Sequence, residues 1–194
     1  PLIGQETRDP SHADIMDRLV VSHPWMAERF EQVLPMLPPD LILLMRSLRA
    51  ITIGANTRPS FYDANAAAMH LDADVLWFTR EERETISTDP DYRAEFDKLV
   101  DFADLWRYVR GNDYADAEFS GVDSQGNRAL EAVVLEVVQL LFHELAHAVD
   151  FMPPANFDSL GLDASPADVT FELPSDRLSG DVPLQSPELV GIAS

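Results

Sequence analysis

The residues whose types and spacing can do chemistry are His143, Glu144 and His147, in the run Phe142-His143-Glu144-Leu145-Ala146-His147-Ala148-Val149-Asp150. On an α-helix, positions i and i+4 lie one turn apart on the same face. The two imidazoles can therefore aim at one point about 2 Å from each ring nitrogen, the Zn–N bond length. Glu144, turned by about 100° from His143, stands beside such an ion rather than on it. There a carboxylate takes a proton from a metal-bound water, as in a zinc peptidase. With five histidines in 194 residues, chance gives this spacing in roughly fewer than one such chain in a hundred. The competing reading is a pair of packed core histidines. Two His and a Glu inside an apolar helix are costly without partners, so the pattern favours a metal site.

A catalytic zinc takes three protein ligands and keeps one position open for water. His143 and His147 supply two. The metzincin continuation needs Gly at 150 and His at 153, but the chain has Asp150 and Pro153, so that class is excluded. The third ligand is then expected from a downstream carboxylate: Asp158, Asp163, Asp168, Glu172, Asp176, Asp181 or Glu188, with Glu188 first among them. Asp150 shares the helix face of the two histidines, and reads either as an acceptor orienting an imidazole or as an exposed helix-end residue. His70 stands alone on an expected strand and reads as a packed or surface residue before a ligand. Peptide hydrolysis also wants an oxyanion donor. No Tyr or His follows His147, and Tyr62, Tyr92, Tyr108 and Tyr114 all precede the pattern. A chain short of both features reads as lacking part of its C-terminal region.

The element that must carry this chemistry is the apolar run Ala129–Phe151, read as a helix capped by Asn127, about 24 residues and on the order of 36 Å long, and stopped by Pro153-Pro154. Upstream, Ser11 is expected to cap a short helix to Leu19, and Pro24 to open a helix to Leu34. Asp40 begins an apolar helix over Leu41–Leu48. From Ala50 the period changes. Ala50–Gly54 reads as a strand, and a second strand is expected from Ala67 to Asp72, continuing towards Phe78. This strand–turn–strand unit is either an edge for an extended peptide or a hairpin covering the core. Thr79 should cap a short acidic helix, Asp91–Val109 has an amphipathic helical pattern, and residues 112–126 read as a surface loop. Three prolines and two glycines make 155–186 loop-rich, and Ser186-Pro187-Glu188 looks like a helix start.

Composition sets the outer bounds. The chain suits a single domain over 1–194, with 46 % hydrophobic residues to form a core. Its formal net charge of −20 argues against nucleic-acid backbones and anionic lipid, and is compatible with cationic peptides or simply with a self-repelling acidic surface. With no cysteine there is no disulfide framework and no thiolate ligand. No charge-free apolar run reaches spanning length, so no transmembrane segment is expected. A first residue other than Met leaves room for a removed export signal.

The stretch His143–Asp150, His-Glu-Leu-Ala-His-Ala-Val-Asp, resembles the zinc-binding helix of the anthrax lethal factor-like catalytic domains. The segment Ile51–Phe78, with Arg58-Pro59-Ser60-Phe61-Tyr62 and Leu71-Asp72, is similar to a group of uncharacterised bacterial envelope proteins. The resemblance covers about a third of the chain. It implies His143 and His147 as Zn²⁺ ligands, Glu144 as general base, and a later Glu and a nearby Tyr, which it does not identify here. The expectation is an α+β, predominantly helical, zincin-like domain with a small sheet before the His-Glu-x-x-His helix. Its expected function is zinc-dependent hydrolysis of a peptide or protein substrate, in an exported bacterial protein that is periplasmic, envelope-anchored or secreted. The alternative is a catalytically incomplete metal-binding or interaction module of the envelope.

Overall fold

A computed structural model describes residues 1–89, 109–110, 113–114, 122–162 and 164–169. It is a mixed α/β structure, rich in helix, with one four-stranded sheet and one long helix. The described elements are α1 (Ile3–Glu6), α2 (His12–Met16), β1 (Leu19–Val21), α3 (Pro24–Val33), α4 (Pro39–Leu44), β2 (Ala50–Gly54), β3 (Phe61–Asp63), β4 (Ala68–Asp72), α5 (Arg80–Arg83), β5 (Val109–Arg110), β6 (Asp113–Tyr114), α6 (Leu130–Phe151) and α7 (Pro166–Val169).

The helix starts follow local chemistry. Ser11 accepts from the Asp14 N–H while the Asp14 carboxylate accepts from the Ser11 N–H, a reciprocal pair that opens α2. Thr79 and Glu82 do the same for α5. Glu82 also accepts from the Phe78 N–H at 2.7 Å and from Arg29 at 2.7 and 2.9 Å, which explains how a carboxylate is buried there. Burial alone would raise its pKa, yet these donors hold it below the ordinary carboxylate value.

The sheet runs β1-β2-β4-β3. β1, β2 and β4 are parallel, with Leu19 opposite Ile51 and Ile51 opposite Met69. β3 is an edge strand, antiparallel to β4, with Tyr62 opposite Met69. Three expectations are corrected here. Residues 50–72 are not a hairpin, because β2 and β4 are parallel neighbours and the chain between them contributes β3. β4 stops at Asp72, whose side chain accepts from the Asp74 N–H and turns the chain into a 3₁₀ turn, Ala73–Val75, instead of running on towards Phe78. The helix after Ser11 ends at Met16, and Leu19–Val21 is a strand because β2 offers it a free edge.

The inner face of the sheet presents Ile51, Ile53, Met69 and Leu71, all buried. α6 closes over them with Val133, Val137, Leu141, Leu145 and Ala148, one stripe at i, i+4 spacing. Each fully buried Val or Leu on it contributes roughly 1.5–3 kcal/mol. Met26 and Phe30 of α3, Leu41 of α4 and Met45 fill the same core. α6 has 22 residues, beginning at Leu130 with Ala129 in the cap position and no side-chain cap. Asn127 is drawn elsewhere: its N–H bonds the Asp123 carboxylate and its side-chain oxygen accepts from the Arg80 N–H. By length and mean hydropathy, α6 is the one helix among the described residues apolar enough to cross a bilayer, though its inner stripe lies in this core.

Past α6 the chain folds back on the N-terminus. Leu2, Ala67, Met152, Phe157 and Leu160 form a second small core. The Gln5 amide donates to the carbonyls of Phe157 and Leu160 at 2.9 and 2.8 Å, and the Ser47 hydroxyl donates to the Met152 carbonyl at 3.0 Å. Val109–Arg110 pairs antiparallel with Asp113–Tyr114, so the helical pattern read to Val109 ends earlier and the loop read over 112–126 contains a strand residue pair. The remainder of the pattern over 91–108, and the helix start at Ser186, lie outside the described residues.

Candidate metal site and cleft

The i, i+4 stripe that fixes α6 on the sheet also fixes what its other positions can do. With Leu141, Leu145 and Ala148 facing the core, His143 and His147 are left exposed on the same side of the helix, while Glu144 is 4 % exposed. The two imidazole centroids are 5.0 Å apart with ring planes at 82°. Two imidazoles held by nitrogens about 2 Å from one tetrahedral ion would have centroids roughly 5 Å apart, so the pair is compatible with one shared ion.

Glu144 is buried against the edge strand. The Tyr62 backbone N–H lies near its carboxylate and favours the charged form. Burial pushes the carboxyl above its ordinary range, while His143, His147 and that N–H pull the other way, with a net upward shift.

The three residues share a cleft of about 300 Å³ with Pro59, Ser60, Phe61 and Tyr62 of the edge-strand segment and Phe151 from the end of α6. Its far wall is thus β3 and the loop before it. Ser60 is pinned by the Asp72 N–H, which donates to its hydroxyl at 2.8 Å, and Asp72 in turn pairs with Arg58. Reasoning from sequence read Phe61-Tyr62-Asp63 as part of a turn and so missed this wall. The signal was there in two adjacent aromatics, a strand-forming pair.

Other expected site residues fall as follows. Glu188 lies outside the described residues, as do Asp163, Glu172, Asp176 and Asp181. Asp158 and Asp168 are exposed, and neither lines the cleft. Among the described residues no group of three or more His, Cys, Asp or Glu side chains gathers in ligand geometry. Asp150 is half-buried at the end of α6 and does not line the cleft. His70 is engaged on the outer face of the sheet, hydrogen-bonded to the Thr52 hydroxyl at 2.7 Å and stacked on Phe61. The Tyr62 hydroxyl is buried without a hydrogen-bond partner among the described residues, its pKa pushed up by burial. It is not presented to the cleft as an oxyanion donor. No family model, no curated protein and no solved structure matches this chain.

Proposed function

We propose that this chain is a zincin-like zinc peptidase, in which His143 and His147 bind Zn²⁺ and Glu144 is the general base. The observation that carries the reading is the division of burial on one helical turn. Two exposed imidazoles face the cleft together, and the carboxylate between them is buried beside the wall of that same cleft. A packed pair of core histidines would show the opposite division.

Zinc, when bound, lowers the pKa of water and polarises the scissile carbonyl. The chain's own residues do the rest. Glu144 accepts the proton of the attacking water and passes it to the leaving amine. Glu144 and Tyr62 line the same cleft, so the base stands beside the strand wall. Phe151 and Pro59 line the same cleft. The third ligand is expected from a downstream carboxylate, Glu188 first, near the start of an expected terminal helix, and export to the bacterial envelope rests on the resemblance.

The test is metal content by mass spectrometry beside peptide turnover. The purified chain should carry about one zinc, and His143→Ala should lose it. Glu144→Gln should keep the zinc and lose at least about a hundredfold in turnover. Full activity in Glu144→Gln would sink the assigned role. A second reading, a metal-binding or interaction module without catalysis, is favoured by one observation: no third donor joins the two histidines among the described residues. It predicts bound zinc with no turnover in the wild type.

A further inference from the structure

Among the described residues, two buried side-chain polar atoms have no hydrogen-bond partner: Arg49 Nε and the Tyr62 hydroxyl oxygen. A buried polar group left unmet is costly, so each needs an occupant. Both residues stand at the same end of the sheet. Arg49 lies one residue before β2 and donates its backbone N–H to the Ala67 carbonyl at 2.7 Å, beside the start of β4. Tyr62 lies on β3, opposite Met69. One short segment touches both sides. The Ala164 carbonyl accepts from Arg49 Nη2 at 2.8 Å, and the next residue, Ser165, donates its hydroxyl to the Ala64 carbonyl at 3.0 Å. The Arg49 charge also pulls the Tyr62 hydroxyl pKa down against the upward push of burial, an effect of nearby charge.

No carboxylate among the described residues pairs with Arg49. Asp63, next to Tyr62 in sequence, accepts from the Asn65 N–H and side-chain amide instead. What remains is a guanidinium N–H and a phenol O–H, two donors without an acceptor. A carboxylate answers both, with one oxygen for each, and the charged guanidinium makes that pairing strong.

The cleft leads to this place. Tyr62 and Phe151 line it with ring centroids 6.1 Å apart, so Tyr62 faces the cleft and yet keeps its hydroxyl out of solvent. Beyond Tyr62 the strand edge is closed, because the Ala64 carbonyl is taken by the Ser165 hydroxyl and by the Ala167 N–H at 3.3 Å. A peptide that reaches this end of the cleft has no edge to continue along.

We propose that Arg49 and Tyr62 form a subsite for the C-terminal carboxylate of a peptide, so that the chain acts as a carboxypeptidase. The inference rests on the peptidase reading and narrows its substrates to chains with a free C-terminus. Water adds across the last peptide bond. Its hydroxyl goes to the carbonyl carbon, its proton goes to the leaving nitrogen, and one amino acid departs. The Phe151 ring, on the last residue of α6, turns aside to admit the carboxylate.

The test gives the zinc-loaded full chain one hexapeptide as the free acid and as the C-terminal amide, with products read by mass spectrometry. In parallel, binding of N-acetylphenylalanine and of its amide is followed by NMR, a readout independent of turnover. The wild type should cleave the acid at least about a hundredfold better in kcat/KM, one C-terminal residue at a time, and bind only the acid probe. Tyr62→Phe removes a hydroxyl that has no partner in the fold, so the thermal midpoint should hold or rise. Its kcat/KM for the acid and its affinity for N-acetylphenylalanine should each fall about tenfold. A hydroxyl with a merely structural role would move the midpoint instead. Arg49→Met should bring acid and amide within about threefold, and Arg49→Lys should recover only part of the difference. Equal cleavage of acid and amide, cuts confined to internal bonds, or Tyr62→Phe and Arg49→Met chains that bind N-acetylphenylalanine like the wild type would overturn this proposal and leave the peptidase reading standing. No cleavage of either peptide by the zinc-loaded wild type overturns the peptidase reading, and this proposal with it.

Discussion

Arg128 shows how much one residue upstream of a site can hold. It is 7 % exposed, with its guanidinium 4.0 Å over the Trp77 ring. It donates to the carbonyls of Trp77 and Asp74 at 2.9 Å each and to the Glu136 carboxylate at 2.6 Å. It thereby ties the start of α6 to the chain leaving β4, and so fixes where α6 begins. Burial raises the Glu136 pKa above its ordinary value, against the pull of Arg128. Arg128→Met should cost about 3–5 kcal/mol, because it strands two carbonyls and a half-buried carboxylate. Urea unfolding measures this. A carboxyl raised in the folded state takes up a proton there first, so stability increases as pH falls through the folded value. Without Arg128 the Glu136 shift grows, so the deficit of Arg128→Met should be smaller at pH 5 than at pH 8. Arg128→Lys should recover less than half, since one ammonium cannot serve the planar fork of acceptors and the ring together. A loss under about 1 kcal/mol in Arg128→Met would show that the clamp is ornamental.

At the scale of elements, the packing of α1 against the 3₁₀ turn Pro154–Ser159 that follows α6 is the contact least tolerant of added volume. A Cβ built on Gly4 would lie 2.2 Å from the Phe157 ring, and that ring belongs to the second core with Leu2 and Met152. Gly4→Ala should destabilise by about 1–3 kcal/mol through this clash, although alanine is the better helix former. An unchanged thermal midpoint would mean that α1 is not docked as described. Elements were legible in the sequence where local chemistry decided them. The Ser11 and Thr79 caps, Pro24 at a helix start and the apolar period of α6 all carried their own signal. Parallel pairing did not, because β1 is three residues whose partner lies 32 positions on, as in Leu19 and Ile51, and no local pattern encodes that. The site divided the same way. His143, Glu144 and His147 were readable from spacing, whereas the wall at Ser60–Tyr62 exists only because β3 returns antiparallel beside β4. Asn127 was misread as a cap because a side chain that can cap can also close a turn, and Asp123 supplied the turn.

At the scale of the whole molecule, charge and chain order dominate. A formal net charge of −20 repels itself in the compact state. Raising NaCl from about 20 to 300 mM should therefore raise the thermal midpoint by a few degrees, since the Debye length falls below the spacing of surface charges. A midpoint that falls with salt would mean that attractive pairs such as Arg58–Asp72 outweigh the repulsion.

The ties from Gln5 to Phe157 and Leu160, from Ser47 to Met152 and from the Arg49 guanidinium to the Ala164 carbonyl join residues more than a hundred positions apart. The sheet is built from the first half of the sequence, and its inner face is covered by a helix from the second. On a ribosome adding about 5–20 residues per second, β2 and β4 therefore emerge roughly 4–20 s before α6 can cover them. For that interval Ile51, Ile53, Met69 and Leu71 are an uncovered apolar ledge, and the nascent chain is a client for whatever binds such ledges. The turn of α6 that carries His143, Glu144 and His147 lies on the helix that covers the sheet, so the cleft comes into being at the same moment the core is closed.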